Sequence, residues 1–278
     1  MAKNLIIGGF TNYNANQLRP WVLSAKVHGG DNTDVVLVYG NASDETLDWL
    51  ESQGVIIVPM LPVQNVPIHV LRFLSIYEYL YKNWQDYEYV VTTDVKDVYF
   101  QTDPFVFLNS RKLVIASEGL RYKDEPWGDS NLMQTYGPYV YDKFKDNEIF
   151  NVGTFGGLSE YVKDMVFNIF TNAINRPIPI CDQAVFNVLI NTQPFKDVVT
   201  QTDSWAAELG TVMDPSKIDH FRPNLIFSEP VFENGLVKDC VGFIYPIVHQ
   251  YDRVPEIKKF VEKKFGQDDE SQMFIYRT

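Results

Sequence analysis

Cysteine is almost missing from this chain of 278 residues, which has only Cys181 and Cys240. Two thiols far apart, with no CxxC pair, exclude a disulfide framework and a thiolate zinc site, and a reducing compartment is the simpler expectation. Long apolar runs are missing too: no stretch approaches the ~18 residues of a membrane span. The opening MAKNLIIGGF runs straight into an apolar strand without the h-region and cleavage site of a signal peptide. Together these lead us to expect a cytoplasmic protein with no transmembrane anchor. Basic charge is scarce, with 24 Lys and Arg against 36 Asp and Glu for a net charge of −12. A nucleic-acid partner needs clustered Lys and Arg to displace counterions, so that class is excluded. A divalent cation suits the balance better, although scattered acids also serve solubility alone. No low-complexity tract, linker or internal repeat is present, and no GxxxxGK[ST] phosphate loop occurs.

What is present is a regular alternation. Asn4–Gly8 is a buried strand, Asn16–Val27 has helical spacing, Asp34–Tyr39 is a second strand, Ser43 caps a helix through Gln53, and Val55–Met60 is a third strand. Such a β-α-β-α-β run predicts a mostly parallel sheet covered by helices. Pro67 opens a helix carrying His69 to Lys82, and Tyr87–Val91 is a strand running into TTDVKD. A strand over 112–117 follows, then about 30 residues rich in Gly, Pro and aromatics from Glu118 to Glu148, expected as an ordered loop because structureless connections of that length are usually functional. Helices over 159–174 and 182–190 and a strand-like VGFIYPIVHQ complete one domain.

Four strings carry chemistry. In TTDVKDVYFQTDPF, Asp94 and Asp97 follow an apolar strand, where two carboxylates can share Mg²⁺ or Mn²⁺ with a diphosphate; the alternative is a solvated turn with Asp94 as a cap. Asp103, before Pro104, is expected to start a turn rather than to add a ligand. In FNVGTFGG, Asn151 can donate to sugar hydroxyls and the glycines permit close backbone approach, or the string is a strand with bulges. In CDQAVFN, Asp182 and Gln183 open a helix, where Asp182 can also be an N-cap. In VHQYDR, His249 offers a neutral imidazole to a metal and Arg253 a guanidinium to a diphosphate. His28 and His220 read as loop residues and His69 as a helix residue.

These strings, in this order, resemble the GT-A glycosyltransferases, particularly the family-8-like galactosyl- and glucosyltransferases. An acidic motif after a strand, FNxG, a DQ pair opening a helix and a late metal-binding His recur there, and the match spans about residues 4 to 253. The resemblance implies a GT-A fold, Rossmann-like with a central sheet between helices, in one domain over 1–278: about 1–100 as the nucleotide-binding half, about 101–255 for donor sugar and acceptor, and 256–278 as a C-terminal helix and tail. It implies a transferase moving a sugar from a nucleotide diphosphate donor, a UDP-sugar, to a glycan or glycoprotein acceptor. The metal ligands would be Asp94, Asp97 and His249. Arg72, on the helix before the acidic motif, would support Asp94 and the donor with Arg253, while Thr11 and Tyr13 of GGFTNYNAN would take the nucleotide base. Asn151, Asp182, Gln183 and Glu118 would serve catalysis. The motif departs from the usual DxD in being Asp94-Val-Lys-Asp97. A DxxD with a downstream His resembles the glycosyltransferase domain of the lysyl hydroxylase/collagen glucosyltransferases, and DVKDVYFQTDPF with HQYDR resembles small glycosyltransferases of bacteria and large algal viruses. Family-8 resemblance favours retention of anomeric configuration, while Glu118, Asp124, Glu125 and Asp182 are carboxylates that an inverting enzyme could use as a base.

Three other readings compete. A sugar-nucleotide pyrophosphorylase would show an N-terminal Gly-rich segment with Arg and a following Lys, which IIGGFTNYN lacks. A dehalogenase-type phosphatase needs paired aspartates after the first strand, which here ends in Gly-Gly-Phe. A catalytically inactive carbohydrate-binding relative would tolerate loss of the ligands, all of which are present. In the long segment, Tyr122, Trp127, Tyr136, Tyr139 and Tyr141 offer flat faces for pyranose rings, with Asp124, Glu125, Asp129 and Asn131 for hydroxyls; the same aromatics can instead pack the segment onto the domain.

Overall fold

The computed structural model describes residues 2–266. The chain runs through β1 (Lys3–Phe10), α1 (Ala15–His28), β2 (Thr33–Tyr39), α2 (Asp44–Ser52), β3 (Ile56–Pro59), α3 (Ile68–Asn83) and β4 (Tyr87–Thr93). It continues with β5 (Val98–Phe100), β6 (Leu113–Arg121), α4 (Pro126–Tyr136), α5 (Pro138–Phe144), β7 (Glu148–Leu158), α6 (Ser159–Ala173) and α7 (Asp182–Ile190). The last part holds β8 (Val199–Thr202), β9 (Ala206–Glu208), short α8 (Leu209–Val212) and α9 (Ile218–Phe221), the hairpin β10 (Val231–Glu233) and β11 (Leu236–Lys238), β12 (Ile247–His249) and α10 (Pro255–Phe265).

Seven strands form one sheet in the order β3-β2-β1-β4-β7-β6-β8. It is parallel except where β7 runs antiparallel to both β4 and β6. Alternation along each strand sends side chains to opposite faces. Ile6 and Phe10 of β1 face the core under α1 and α2, with Leu18, Trp21, Val22 and Leu50. Leu5 and Ile7 face the other core, with Phe73 and Ile76 of α3, Val162 and Ile169 of α6, and Phe186 of α7. The result is the expected α/β architecture, helices on both faces of a mostly parallel sheet in a single domain. A second sheet has three short strands in the order β5-β12-β9.

Local chemistry explains the element ends. Asn14 and Gln17 form a reciprocal capping box at α1, and Ser43 caps α2 through the Thr46 amide. Asp103 accepts from the Phe105 amide at 2.8 Å, the turn expected of Asp-Pro. The expected loop over 118–148 is a correction. β6 continues to Arg121, a 3₁₀ turn spans 122–124, and α4 and α5 fill the rest. Glu125 makes this possible by accepting from the Trp127 and Gly128 amides as an N-cap, with Pro126 at the first position. Tyr122, Tyr136 and Tyr141 pack with Leu132, Ile149 and Ala184, so these three rings dock the segment, while Trp127 and Tyr139 stay exposed. Two smaller corrections concern histidines: His28 ends α1 and His220 lies in α9 rather than in loops. The C-terminal strand is confined to Ile247–His249, because Asp239 draws the Val241 and Phe243 amides into a turn first. The expected tail beyond 266 lies outside the described residues.

Candidate metal and donor site

Asp94 is the first residue after β4, and its amide donates to the Gly153 carbonyl of β7 at 2.7 Å. Antiparallel pairing of Thr93 with Thr154 sets that register. The buried Trp21 of α1 reaches the same strand end, its indole N–H donating to Thr93 Oγ1 at 2.7 Å. Asp97 lies just before β5, whose Val98 pairs with His249 of β12. Asp94, Asp97 and His249 therefore converge although two come from the middle of the chain and one from near its end. One ligand atom from each lies within 4.8 Å of the others. His249 Nε2 stands 3.6 Å from Asp94 Oδ2 and 3.7 Å from Asp97 Oδ1.

The donor set is that of a hard or borderline cation, with two carboxylate oxygens and one imidazole nitrogen. Gly153 supports the fit. A Cβ there would stand 2.7 Å from His249 Cε1 and 2.8 Å from both Asp94 Oδ2 and Asn151 Oδ1, so only glycine lets these three groups close together. Charge is arranged accordingly. Burial would raise the Asp94 carboxyl, but the Arg72 guanidinium and His249 hold it well below the usual carboxylate range. Burial raises Asp97, with His249 opposing and Asp94 and Asp252 reinforcing. Burial would lower His249, yet Glu208, Asp94 and Asp97 hold it well above an ordinary imidazole.

Arg72 of α3 is the hub. Nη1 is ion-paired with Asp94 Oδ1, and Nη2 lies 3.2 Å from Asp182 Oδ2. Asp182 is the first residue of α7, whose cap position is Cys181, and no side chain caps this helix. The cap alternative for Asp182 is thus replaced by the ion pair. Burial raises Asp182, Arg72 opposing. A second group lies beside the first: Glu118 Oε1 accepts from Asn151 Nδ2 at 2.6 Å and from Gln183 Nε2 at 2.8 Å. Asn151 Oδ1 in turn accepts from the Gly153 amide at 2.7 Å. One amide side chain therefore separates the Glu118 carboxyl from the Asp94–His249 pair. Burial pushes Glu118 up to about 7; the Gln183 amide opposes this and Glu208 adds to it. Asn187 fixes α7 against β7 by bonding both the amide and the carbonyl of Phe150.

The remaining expected residues lie around this centre. Tyr13, half-buried and stacked on Phe10, has its phenol raised by burial and by Asp97 and Asp94. Thr11 Oγ1 accepts from the Asn41 amide at 3.0 Å on the neighbouring strand end. Arg253 is more than half exposed and its nearest acid is Asp252 at 3.5 Å; no ion pair joins it to the Asp94 cluster among the described residues. Sequence reasoning missed Glu208, whose Oε2 lies 2.6 Å from His249 Nδ1 with the side chain wholly buried. A lone acid inside the apolar run WAAELG was the available signal.

No protein-family model matches the chain, and no curated protein matches it. Among solved structures it is similar to an apo structure of WbbM, a bifunctional glycosyltransferase, with a TM-score of 0.60 and 13% identity over 99% of this chain and 52% of that one. The chain thus spans about half the length of that protein, and the likeness is one of fold. No described helix is long and apolar enough to cross a membrane.

Proposed function

We propose that the chain is a metal-dependent glycosyltransferase that takes a nucleotide diphosphate sugar, a UDP-sugar, and passes the sugar to a hydroxyl of a glycan or glycoprotein. The observation that carries this reading is the meeting of Asp94, Asp97 and His249 within 4.8 Å at strand ends, beside a buried arginine. Ligands bind beyond the carboxyl ends of parallel strands in such sheets. A glycosyltransferase with the same fold adds support.

In this reading Asp94, Asp97 and His249 hold Mn²⁺ or Mg²⁺, and the ion neutralises charge on the departing diphosphate. Arg72 orients Asp94 toward the ion, and Arg253, exposed on the turn after His249, swings onto the diphosphate. Thr11 and Tyr13 take the base, so residues of about 1–100 form the nucleotide half and about 101–255 the sugar and acceptor half. Asn151, Gln183, Asp182 and Glu118 face the donor sugar, a group of amides and carboxyls suited to ring hydroxyls. The motif order supports a family-8-like enzyme, with a resemblance also to small bacterial or algal-virus glycosyltransferases. Work in the reducing cytoplasm is supported by two free cysteines.

Calorimetry with UDP in the presence and absence of Mn²⁺ tests the proposal, followed by a screen of UDP- and GDP-sugars for donor hydrolysis and NMR of the released anomer. Metal-dependent UDP binding and turnover of one donor are expected. UDP binding that ignores Mn²⁺ and EDTA would overturn it.

A further inference from the structure

We propose that Glu208 is a positioning residue of the cation site, holding His249 in the tautomer and orientation that present Nε2 to the ion. This rests on the metal-dependent reading above and adds to it a residue that none of the four motifs contains.

The placement comes from the small sheet. Parallel pairing of β9 with β12 sets Glu208 directly beside His249, and antiparallel pairing sets Val98, next to Asp97, on the other side. One cross-strand row therefore carries Glu208, His249 and Val98, the residue that follows Asp97. Glu208 Oε2 lies 2.6 Å from Nδ1, and Thr154 Oγ1 at 3.4 Å is the other neighbour of that nitrogen. With the ion bound, an Nδ1–H donated to a carboxylate would leave the Nε2 lone pair for a cation shared with Asp94 and Asp97, the arrangement by which second carboxylates orient metal-binding histidines.

Two further observations make a purely structural role a poor account. The Glu208 side chain is 0% exposed, and its Oε1 has no hydrogen-bond partner among the described residues. A wholly buried carboxylate satisfied at one oxygen is expensive unless a positive charge lies close by. The local backbone is also pinned where Glu208 and His249 need it. The Gly210 amide donates to Gln250 Oε1 at 2.9 Å, and a Cβ on Gly210 would stand 2.1 Å from that oxygen. Gln250 itself adopts a left-handed φ of 58°. The residues following Glu208 and His249 are thus clasped to each other.

The test titrates Mn²⁺ into the full chain and its Glu208→Gln and Glu208→Ala variants, by calorimetry and by loss of the free-ion EPR signal, with thermal melts on the same samples. Wild type is expected to bind one Mn²⁺. Glu208→Ala should bind it about 10–100-fold more weakly. Glu208→Gln should fall between, because its amide keeps an acceptor oxygen without the charge. In Mg²⁺-loaded samples, ¹⁵N NMR of the His249 ring should report the Nδ1–H tautomer in wild type and a mixture in the variants. If Glu208→Ala does not fold, Glu208→Gln decides. Unchanged Mn²⁺ affinity and an unchanged ring tautomer in a folded variant overturn the proposal, whatever happens to the melting temperature. Absence of Mn²⁺ binding by the wild type overturns the cation reading first and Glu208's role with it, an outcome told apart by the unmutated control.

Discussion

At the scale of single residues, the site holds charge in an environment that penalises it, and that sets three expected outcomes. Asp97→Asn removes one ligand charge while keeping the shape, so donor turnover should drop at least about 100-fold with an unchanged circular dichroism spectrum. Full activity there, or undiminished activity in EDTA, rules out the cation site. Arg72→Ala leaves the buried Asp182 and the half-buried Asp94 without their shared partner. Breaking a buried pair in this way costs about 3 kcal/mol, so both thermal stability and donor KM should suffer. An early melt with untouched donor kinetics would make Arg72 a structural residue only. Glu118 gives a pH signature. Its folded pKa of about 7 lies above the ordinary carboxyl value, so the folded state binds the proton more tightly. Its effect on stability is absent below the unfolded pKa, and stability then falls as pH rises to about 7 and stays lower beyond. Glu118→Gln should therefore be more stable than wild type at pH 8, by up to about 3 kcal/mol from the linkage. The difference should vanish toward pH 4.5, while transfer is lost. Denaturant melts at several pH values read this directly, and no pH-dependent difference would remove Glu118 from its assigned environment.

At the scale of elements, Gly153 in β7 makes the sharpest prediction. Gly153→Ala drives a methyl into His249, Asn151 and Asp94 at once, so Mn²⁺ affinity and turnover should collapse although the strand and its ladder persist. Retained Mn²⁺ affinity would mean that these side chains do not close over the glycine in solution. The strands and helices through β4 were legible in the sequence because each is long enough to show its period, and their ends carry caps such as Asn14 and Ser43. α4 was not legible. PWGDSNLMQTY has few strong helix formers, its apolar residues are few, and its start depends on Glu125 as a cap, an unusual choice. β12 falls inside the strand-like VGFIYPIVHQ, but β5 and β9 have three residues each, too few to display alternation, so the sheet that seats His249 beside Glu208 was invisible. Asp94, Asp97 and His249 were singled out in the sequence because Asp and His at strand ends carry chemistry by type, and the structure brings them together, whereas Glu208 meets His249 only through a register the sequence does not print. The helical segment also divides the aromatic platform. Trp127 is 52% exposed, so Trp127→Ala should change stability by less than about 0.5 kcal/mol, and a rise in acceptor KM with donor hydrolysis preserved would give it a binding role. Unchanged acceptor kinetics would leave α4 as packing alone.

At the scale of the whole molecule, a cation and a nucleotide that bind only the folded state must stabilise it. At 100 times the dissociation constant the gain is about 2.7 kcal/mol, so Mn²⁺ with UDP should raise the melting temperature by roughly 5–11 °C, reversed by EDTA. No shift would deny a folded-state cation site. The large sheet is built almost wholly from the first 158 residues, with only β8 added later. The small sheet is different, joining β5 to two strands that come after residue 205. On a ribosome, Asp94 and Asp97 emerge roughly 150 residues ahead of His249, about 8–30 s at ordinary rates of synthesis. A nascent chain can thus pair most of its strands long before His249 joins the two acids, and a chain released early carries Asp94 and Asp97 without the imidazole that meets them in the folded protein.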